Sequence, residues 1–571
     1  MIWPERPAAG SGARPEMSHV SDAFAEVLRR LDLPYISLNP GASYRGLHDS
    51  LVNYLGNEHP QLIVCLHEEH AVAVAHGYAK VTERPMAVAL HSNVGLMHAT
   101  MALYNAWCDR VPMLAVGATG PLDESKRRPW IDWIHTFADQ GALVRDFVKW
   151  DDQPESAQAG VDSLARAGML TRSYPAAPVY VCLDSELQEA ELDAEIELPD
   201  LERPPDPPAP GADEAAAAGE LLARAQRPLI LVGRVGRGSA GWDARVQLAE
   251  QLRAAVLTDL KVAAGFPTDH ELHPAVPGTF LTDSGRELIT SADVTLSLDW
   301  VDLGGTLRAA GADARVISCT ADASPEFGPV SADIAISAHP DLFVAELAKD
   351  LAGRESAGGS EGWPPPRSQG GPRGDGLTVR ALAAALADAL SGRETCLVRL
   401  PLGWDGADLH VSHPLDYLGQ DGGAGLGSGP GMAVGAALAL AGSGRLPVAV
   451  LGDGDLLMAS SALWTAAHYR LPLLVVVANN RSFFNDEMHQ ERVANARGRP
   501  AENRWIGQHI RDPDPDLAAL ARSLGLSGHG PVEGEAELEA ILAGAAEEAA
   551  GGAAVLVDVR VSPHGYPGGK G

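Results

Sequence analysis

Asp453 and Asn480 stand 27 positions apart (480 − 453), and each follows a run of apolar residues. The run 448–451 precedes Gly452-Asp453-Gly454-Asp455, and Leu471-Pro472-Leu473-Leu474-Val475-Val476-Val477 precedes Asn479-Asn480. Continuous apolar runs of this length read as parallel strands buried on both faces. A carboxylate and a carboxamide then lie at the carboxyl ends of two strands, the edge where open α/β sheets bind ligands. Two oxygen donors beside a tight glycine turn describe a seat for Mg2+ carrying a phosphate ester. Hard cations take oxygen ligands and keep phosphate oxygens in their shell.

The elements that hold these residues follow from the wider pattern. A chain of 571 residues has room for about three or four domains. Residues 198–212 are proline-rich and read as an extended linker. Residues 353–376, rich in Gly, Ser, Pro and charge, read as a second linker. Elsewhere each third alternates short β-rich runs with helical patterns, the mark of parallel α/β layers. Strands are expected at 35–38, 62–66, 86–90, 113–116 and 178–183, then at 228–232, 294–298 and 315–319, and finally at 396–400, 448–451, 471–477 and 554–561. The expected fold class is α/β, with three doubly wound parallel-sheet domains over 18–190, 213–352 and 377–565. A disordered extension over 1–17 precedes them.

Composition narrows the function. With 44 basic and 75 acidic residues the chain carries a net charge of −31, which argues against nucleic acid or an anionic membrane as partner. Five scattered cysteines in or near apolar patterns fit buried thiols in a reducing compartment, not a disulfide framework or zinc site. No apolar run approaches the ~20 residues that span a bilayer. The first 16 residues lack the apolar stretch of a signal peptide. A cytoplasmic location is expected.

Gly452-Asp453-Gly454, a helix-length stretch and Asn479-Asn480 together resemble the signature of thiamine diphosphate (ThDP) enzymes, and the spacing agrees. The resemblance implies pyrimidine-binding, central and diphosphate-binding domains. It implies Mg2+ on Asp453, Asn480 and Ser482, and coenzyme contacts from Gly41, Gly452, Gly454 and Asp455. The stretch from Leu66 to Lys80, with His67-Glu68 and then Gly77-Tyr78-Ala79-Lys80, resembles the family segment that bears the activating glutamate. Glu68 takes that position. Its carboxyl would bond the aminopyrimidine N1′ and favour the imino tautomer, which deprotonates thiazolium C2 to the ylide. Burial is expected to raise its pKa and suit it to proton exchange. Glu69 is expected to be a helix N-terminal carboxylate without this role.

Leu90-His91-Ser92, with the later Asn105-Ala106-Trp107, resembles benzoylformate decarboxylase, where this histidine relays protons. Imidazole suits that task near pH 7. His67, His70, His76 and His98 are expected to pack or to sit one layer behind the site. In the glycine-rich stretch 422–436, Leu426 takes the place of the residue that props the coenzyme in a V shape.

The resemblance has gaps. Where that enzyme has a substrate-binding serine after Pro-Gly, this chain has Ala42, with Ser43 one later. Its second active-site histidine has no evident counterpart near Asp299-Trp300-Val301-Asp302-Leu303, and Trp130–His135 also differ. Phe483–Glu491 look closer to acetolactate-synthase-like proteins. Gly233-Arg234-Val235-Gly236-Arg237-Gly238 follows a strand without GxGxxG spacing, so structural use is favoured over FAD or another nucleotide. The resemblance implies a ThDP- and Mg2+-dependent 2-oxo acid decarboxylase or carboligase working through ylide and enamine intermediates. The small-molecule partner it implies is a 2-oxo acid, joined by an acceptor aldehyde where the enzyme ligates. His91 would protonate the enamine, and active sites would form between subunits of a homodimer or homotetramer. The alternatives are an acetolactate synthase-like carboligase, with or without FAD, and a low-turnover ThDP-binding homologue.

Overall fold

Three parallel sheets organise the chain. The computed structural model describes residues 15–192, 196–322, 331–354, 356–357, 363 and 377–562. Most of the expected extension over 1–17, most of the linker 353–376, and residues 563–565 lie outside the described residues.

The first sheet holds β1 (Tyr35–Leu38), β2 (Gln61–Val64), β3 (Met86–Leu90), β4 (Met113–Thr119), β5 (Asp151–Asp152) and β6 (Pro178–Asp184), in the order β2-β1-β3-β4-β6-β5. The second holds β7 (Pro228–Val232), β8 (Ala255–Leu257), β9 (Val294–Leu298), β10 (Arg315–Cys319) and β11 (Ile334–Ile336), in the order β11-β10-β9-β7-β8. The third holds β12 (Thr395–Arg399), β13 (Leu446–Gly452), β14 (Leu473–Asn479), β15 (Ser527–Val532) and β16 (Ala554–Arg560), in the order β12-β13-β14-β16-β15. β3, β4, β7 and β14 are buried along their whole length, as helices on both faces require.

The expected strands form, with ends shifted by up to three residues. Four further strands, β5, β8, β11 and β15, were not expected: β5 and β15 are polar or glycine-rich, while β8 (Ala-Val-Leu) and β11 (Ile-Ala-Ile) are apolar but three residues long. All four are sheet edges. An edge strand is short or polar because only one neighbour supplies hydrogen bonds and little apolar surface covers it. β15, Ser-Gly-His-Gly-Pro-Val, is the clearest case.

The first and third sheets meet through two helices, Glu68–Thr82 and Ser428–Leu440. They touch backbone to backbone: a Cβ on Gly435 would lie 1.9 Å from the Val74 carbonyl oxygen, and one on Gly77 2.1 Å from that of Met432. One apolar core runs across this junction, from Ile63 and Val72 to Met432 and Leu473. Residues 196–211 between the first two sheets contain neither helix nor strand, in line with the proline-rich linker.

Candidate active site

β13 and β14 run in register, with Val448 beside Leu474 and Gly452 beside Ala478, so the turn at Asp453 and the pair Asn479-Asn480 leave the sheet side by side. Asp453 starts a helix and is 3% exposed. Its Oδ2 is buried without a hydrogen-bond partner. Desolvation pushes its carboxyl up to about 6, with Asp558 adding repulsion and backbone N–H groups opposing it. A buried oxygen left in this state is costly unless a cation completes its shell.

The two asparagines divide their work. Asn479 Nδ2 donates to Asp558 Oδ1 at 2.8 Å, so it braces the sheet. Asn480 lines the cavity, and its Oδ1 accepts the Ser482 N–H at 2.9 Å. The Ser482 hydroxyl is drawn back to buried Glu487, which His509 also holds at 3.0 Å. This pins the backbone at Ser482.

Asp453, Asn480 and Ser482 open onto a cavity of about 930 Å³, together with Gly422, Gly423, Leu426, Gly452, Gly454 and Asp455. Asp455 has little capacity left. Arg399 Nε donates to its Oδ2 at 2.8 Å and Gly427 N–H to its Oδ1 at 2.7 Å. Arg399 also pairs with Asp421 at 2.8 Å, so one buried cation ties both carboxylates to the glycine-rich loop. The cavity therefore presents an orphaned carboxylate oxygen, a carboxamide and a glycine-lined floor. These residues can hold a divalent cation and a diphosphate.

A second group gathers at the carboxyl edge of the first sheet, where the order β2-β1-β3 reverses direction and opens a crevice. Glu68 begins its helix and is 3% exposed. His98 Nδ1 lies 3.0 Å from its Oε2, and Asn39 also bonds the carboxyl. The expectation of a raised pKa is corrected here. Burial does push Glu68 up, and it is the largest single influence, but hydrogen bonds from His98, Asn39 and its own backbone N–H, with attraction to His98, oppose it and leave the group below its ordinary value.

His91 follows β3. The Ser43 hydroxyl lies 2.9 Å from its Nδ1, and the Ser43 backbone N–H points to the same atom at 3.4 Å. A backbone N–H can only donate, which assigns the neutral ring's proton to Nε2. Burial lowers the His91 pKa, helped by His135, whose ring centre is 4.8 Å away. Gly41 is what admits the ring. A Cβ there would lie 2.3 Å from His91 Cβ. Ala42 is exposed, and its carbonyl is held by Arg45.

Neither Glu68 nor His91 lies on the wall of the cavity that holds Asp453. The neighbouring Glu69 faces the glycine-rich loop of its own chain, its Oε1 3.6 Å from a Cβ built on Gly427, and Asp455 raises its pKa beyond the effect of burial. His76 behaves as expected, buried against Asp109 at 2.8 Å. His98 and His135 were not legible as neighbours of Glu68 and His91. Each comes from another element, at a separation no helical or strand period encodes.

The comparisons follow this geometry domain by domain. Residues 18–143 match the model of the thiamine pyrophosphate enzyme N-terminal TPP binding domain, 215–347 the central domain and 404–559 the C-terminal TPP binding domain. The chain is a thiamine pyrophosphate enzyme. Benzoylformate decarboxylase of Pseudomonas aeruginosa is 26% identical over 89% of this chain and 93% of its own length. The acetolactate synthase large subunit of Parasynechococcus marenigrum is 24% identical over 89% of this chain and 82% of its own. The solved benzoylformate decarboxylase of Polynucleobacter necessarius superposes with a TM-score of 0.78, at 20% identity, over 96% of this chain and 99% of its own, a likeness of fold. In this thiamine pyrophosphate enzyme the two candidate clusters fall in the two TPP binding domains: Glu68 and His91 in the N-terminal one, Asp453 and Asn480 in the C-terminal one.

Proposed function

We infer that this enzyme is a ThDP- and Mg2+-dependent 2-oxo acid decarboxylase or carboligase of the benzoylformate decarboxylase type. The observation that carries the reading is the buried, unpartnered Asp453 Oδ2 beside Asn480 on a glycine-lined cavity. Asp453, Asn480 and the Ser482 carbonyl would hold Mg2+, the residues around Gly452 and Gly454 the diphosphate, and Leu426 the bend of the coenzyme. The bound coenzyme supplies the electron sink that lets a 2-oxo acid lose CO2.

The chain's own residues handle protons and access. Glu68 would exchange a proton with the pyrimidine ring nitrogen. His91, neutral and carrying its proton on Nε2, would donate it to the reacting carbon or oxygen of the substrate. Ser43 steadies the far side of that ring.

Glu68 is absent from the wall of the cavity that holds Asp453, which supports a site completed by a second protomer. The Ser92–Cys108 helix leaves Met97, Met101 and Tyr104 exposed on one face, with Leu66 beside the Glu68 helix. Such a face suits burial by another copy. A homodimer or homotetramer with sites between subunits is the assembly this supports. Among the described residues no helix is long and apolar enough to cross a membrane.

The test is calorimetric ThDP binding with and without Mg2+, followed by CO2 release from aromatic and aliphatic 2-oxo acids, with and without acceptor aldehyde. Binding that ignores Mg2+, or no CO2 from any acid, would overturn the reading. Acetolactate formed from pyruvate would select the acetolactate synthase-like alternative.

A further inference from the structure

Glu68 is gripped by a residue from a different helix. His98, on the second turn of Ser92–Cys108, brings Nδ1 to 3.0 Å from Glu68 Oε2. The His98 ring is itself held, stacked on His67 with centroids 4.7 Å apart and planes inclined by 23°. His67 is anchored in turn, because its Nδ1 accepts the Glu69 N–H at 3.2 Å as the helix cap. Gly95, one turn before His98, makes room for the carboxyl: a Cβ there would lie 3.1 Å from Glu68 Cγ and 3.2 Å from Oε1.

We propose that His98 is the positioning residue for Glu68, its Nδ1–H holding Oε2 and fixing the plane of the carboxyl that meets the coenzyme ring. This rests on the reading of Glu68 as the coenzyme's proton partner. The terminal torsion of a glutamate is broad and two-fold, so an unheld carboxyl samples orientations that cannot bond a ring nitrogen in line. An imidazole donating through Nδ1 removes that freedom before the coenzyme arrives, and misplacement of a reacting group by about 1 Å can cost 10²-fold. His98 is half-exposed while Glu68 is buried, so the ring also closes one side of the carboxyl to water. Asn carries an N–H donor on the atom corresponding to Nδ1. Leu fills similar space with no donor.

Two measurements decide the matter. In the coenzyme-free protein, 15N NMR of the histidine rings should show the His98 Nδ1 resonance moving in Glu68→Ala. With saturating ThDP and Mg2+, exchange of the coenzyme C2 hydrogen should fall about 10–100-fold in His98→Leu. Calorimetric ThDP affinity should stay within a few-fold, and His98→Asn should recover most of the rate. An unmoved Nδ1 resonance, or wild-type exchange in His98→Leu, overturns the proposal. If His98→Leu does not fold, the NMR result and the His98→Asn rate decide it, a loss as deep as that in Glu68→Ala counting against it. The failure of the functional reading looks different: wild-type protein that does not bind ThDP, or Glu68→Ala that exchanges normally.

Discussion

Gly41 and His91 occupy each other's space. A Cβ on Gly41 would sit 2.3 Å from His91 Cβ and 2.5 Å from Cγ, so the turn after β1 must be glycine for the ring after β3 to lie where it does. Gly41→Ala is expected to push the imidazole off Ser43 and lower kcat about 10²-fold while the protein still folds. Steady-state decarboxylation with a melting curve checks this, and an unchanged kcat would show that the ring position is not used.

The two proton-handling groups should separate cleanly. Glu68→Ala is expected to keep fold and coenzyme binding but lose C2 proton exchange. His91→Ala is expected to slow decarboxylation by about 10²–10⁴-fold, the usual loss of an acid–base group. Single-turnover kinetics on the same substrate distinguish them. A His91→Ala enzyme with full kcat would remove His91 from the mechanism.

Asp453 predicts a pH signature in the coenzyme-free protein. Its folded pKa of about 6 lies above the ordinary 3.8, so folding favours the protonated form. That stability is present below about pH 4 and is lost as pH rises through 6, to about 3 kcal/mol. Asp453→Asn does not titrate. It is expected to match wild type near pH 4 and to melt higher above pH 6, while losing the stabilisation that Mg2+ and ThDP confer on wild type. Calorimetry from pH 4 to 8 tests this. A variant that melts below wild type at pH 8 without Mg2+ would contradict it.

The proposal that sites form between protomers predicts complementation. Glu68→Ala and Asp453→Ala chains are each expected to be inactive. Co-expressed, half of the dimers would be mixed, with one of their two sites built from intact halves, giving about a quarter of wild-type activity. If the mixture stays inactive, each chain builds its own site.

Helix contact at the junction of the first and third sheets sets a stability prediction. Gly435→Ala drives a methyl against the Val74 carbonyl and should cost about 1–3 kcal/mol. Gly544, in the helix Glu535–Ala550, has nothing within 4 Å of a Cβ, so Gly544→Ala should stabilise by about 0.5–1 kcal/mol. Urea unfolding measures both, and equal effects would deny the close approach.

The sequence alone disclosed the α/β class, the central strands and the strand-end positions of Glu68, His91, Asp453 and Asn480. A strand buried on both faces must be continuously apolar, and the residue where that run stops lies at the sheet edge, as Asp453 does after β13 and His91 after β3. Tertiary structure decided what those residues meet. β15, polar and at an edge, carries no pattern of its own. His98 beside Glu68, His135 beside His91 and Arg399 beside Asp455 join elements whose separation along the chain has no period. The direction of the Glu68 pKa depended on the same contacts, because local burial alone pointed upward and hydrogen bonds from His98 and Asn39, distant in sequence, helped reverse it. Spacing encodes which edge a residue reaches, and packing chooses its partners there.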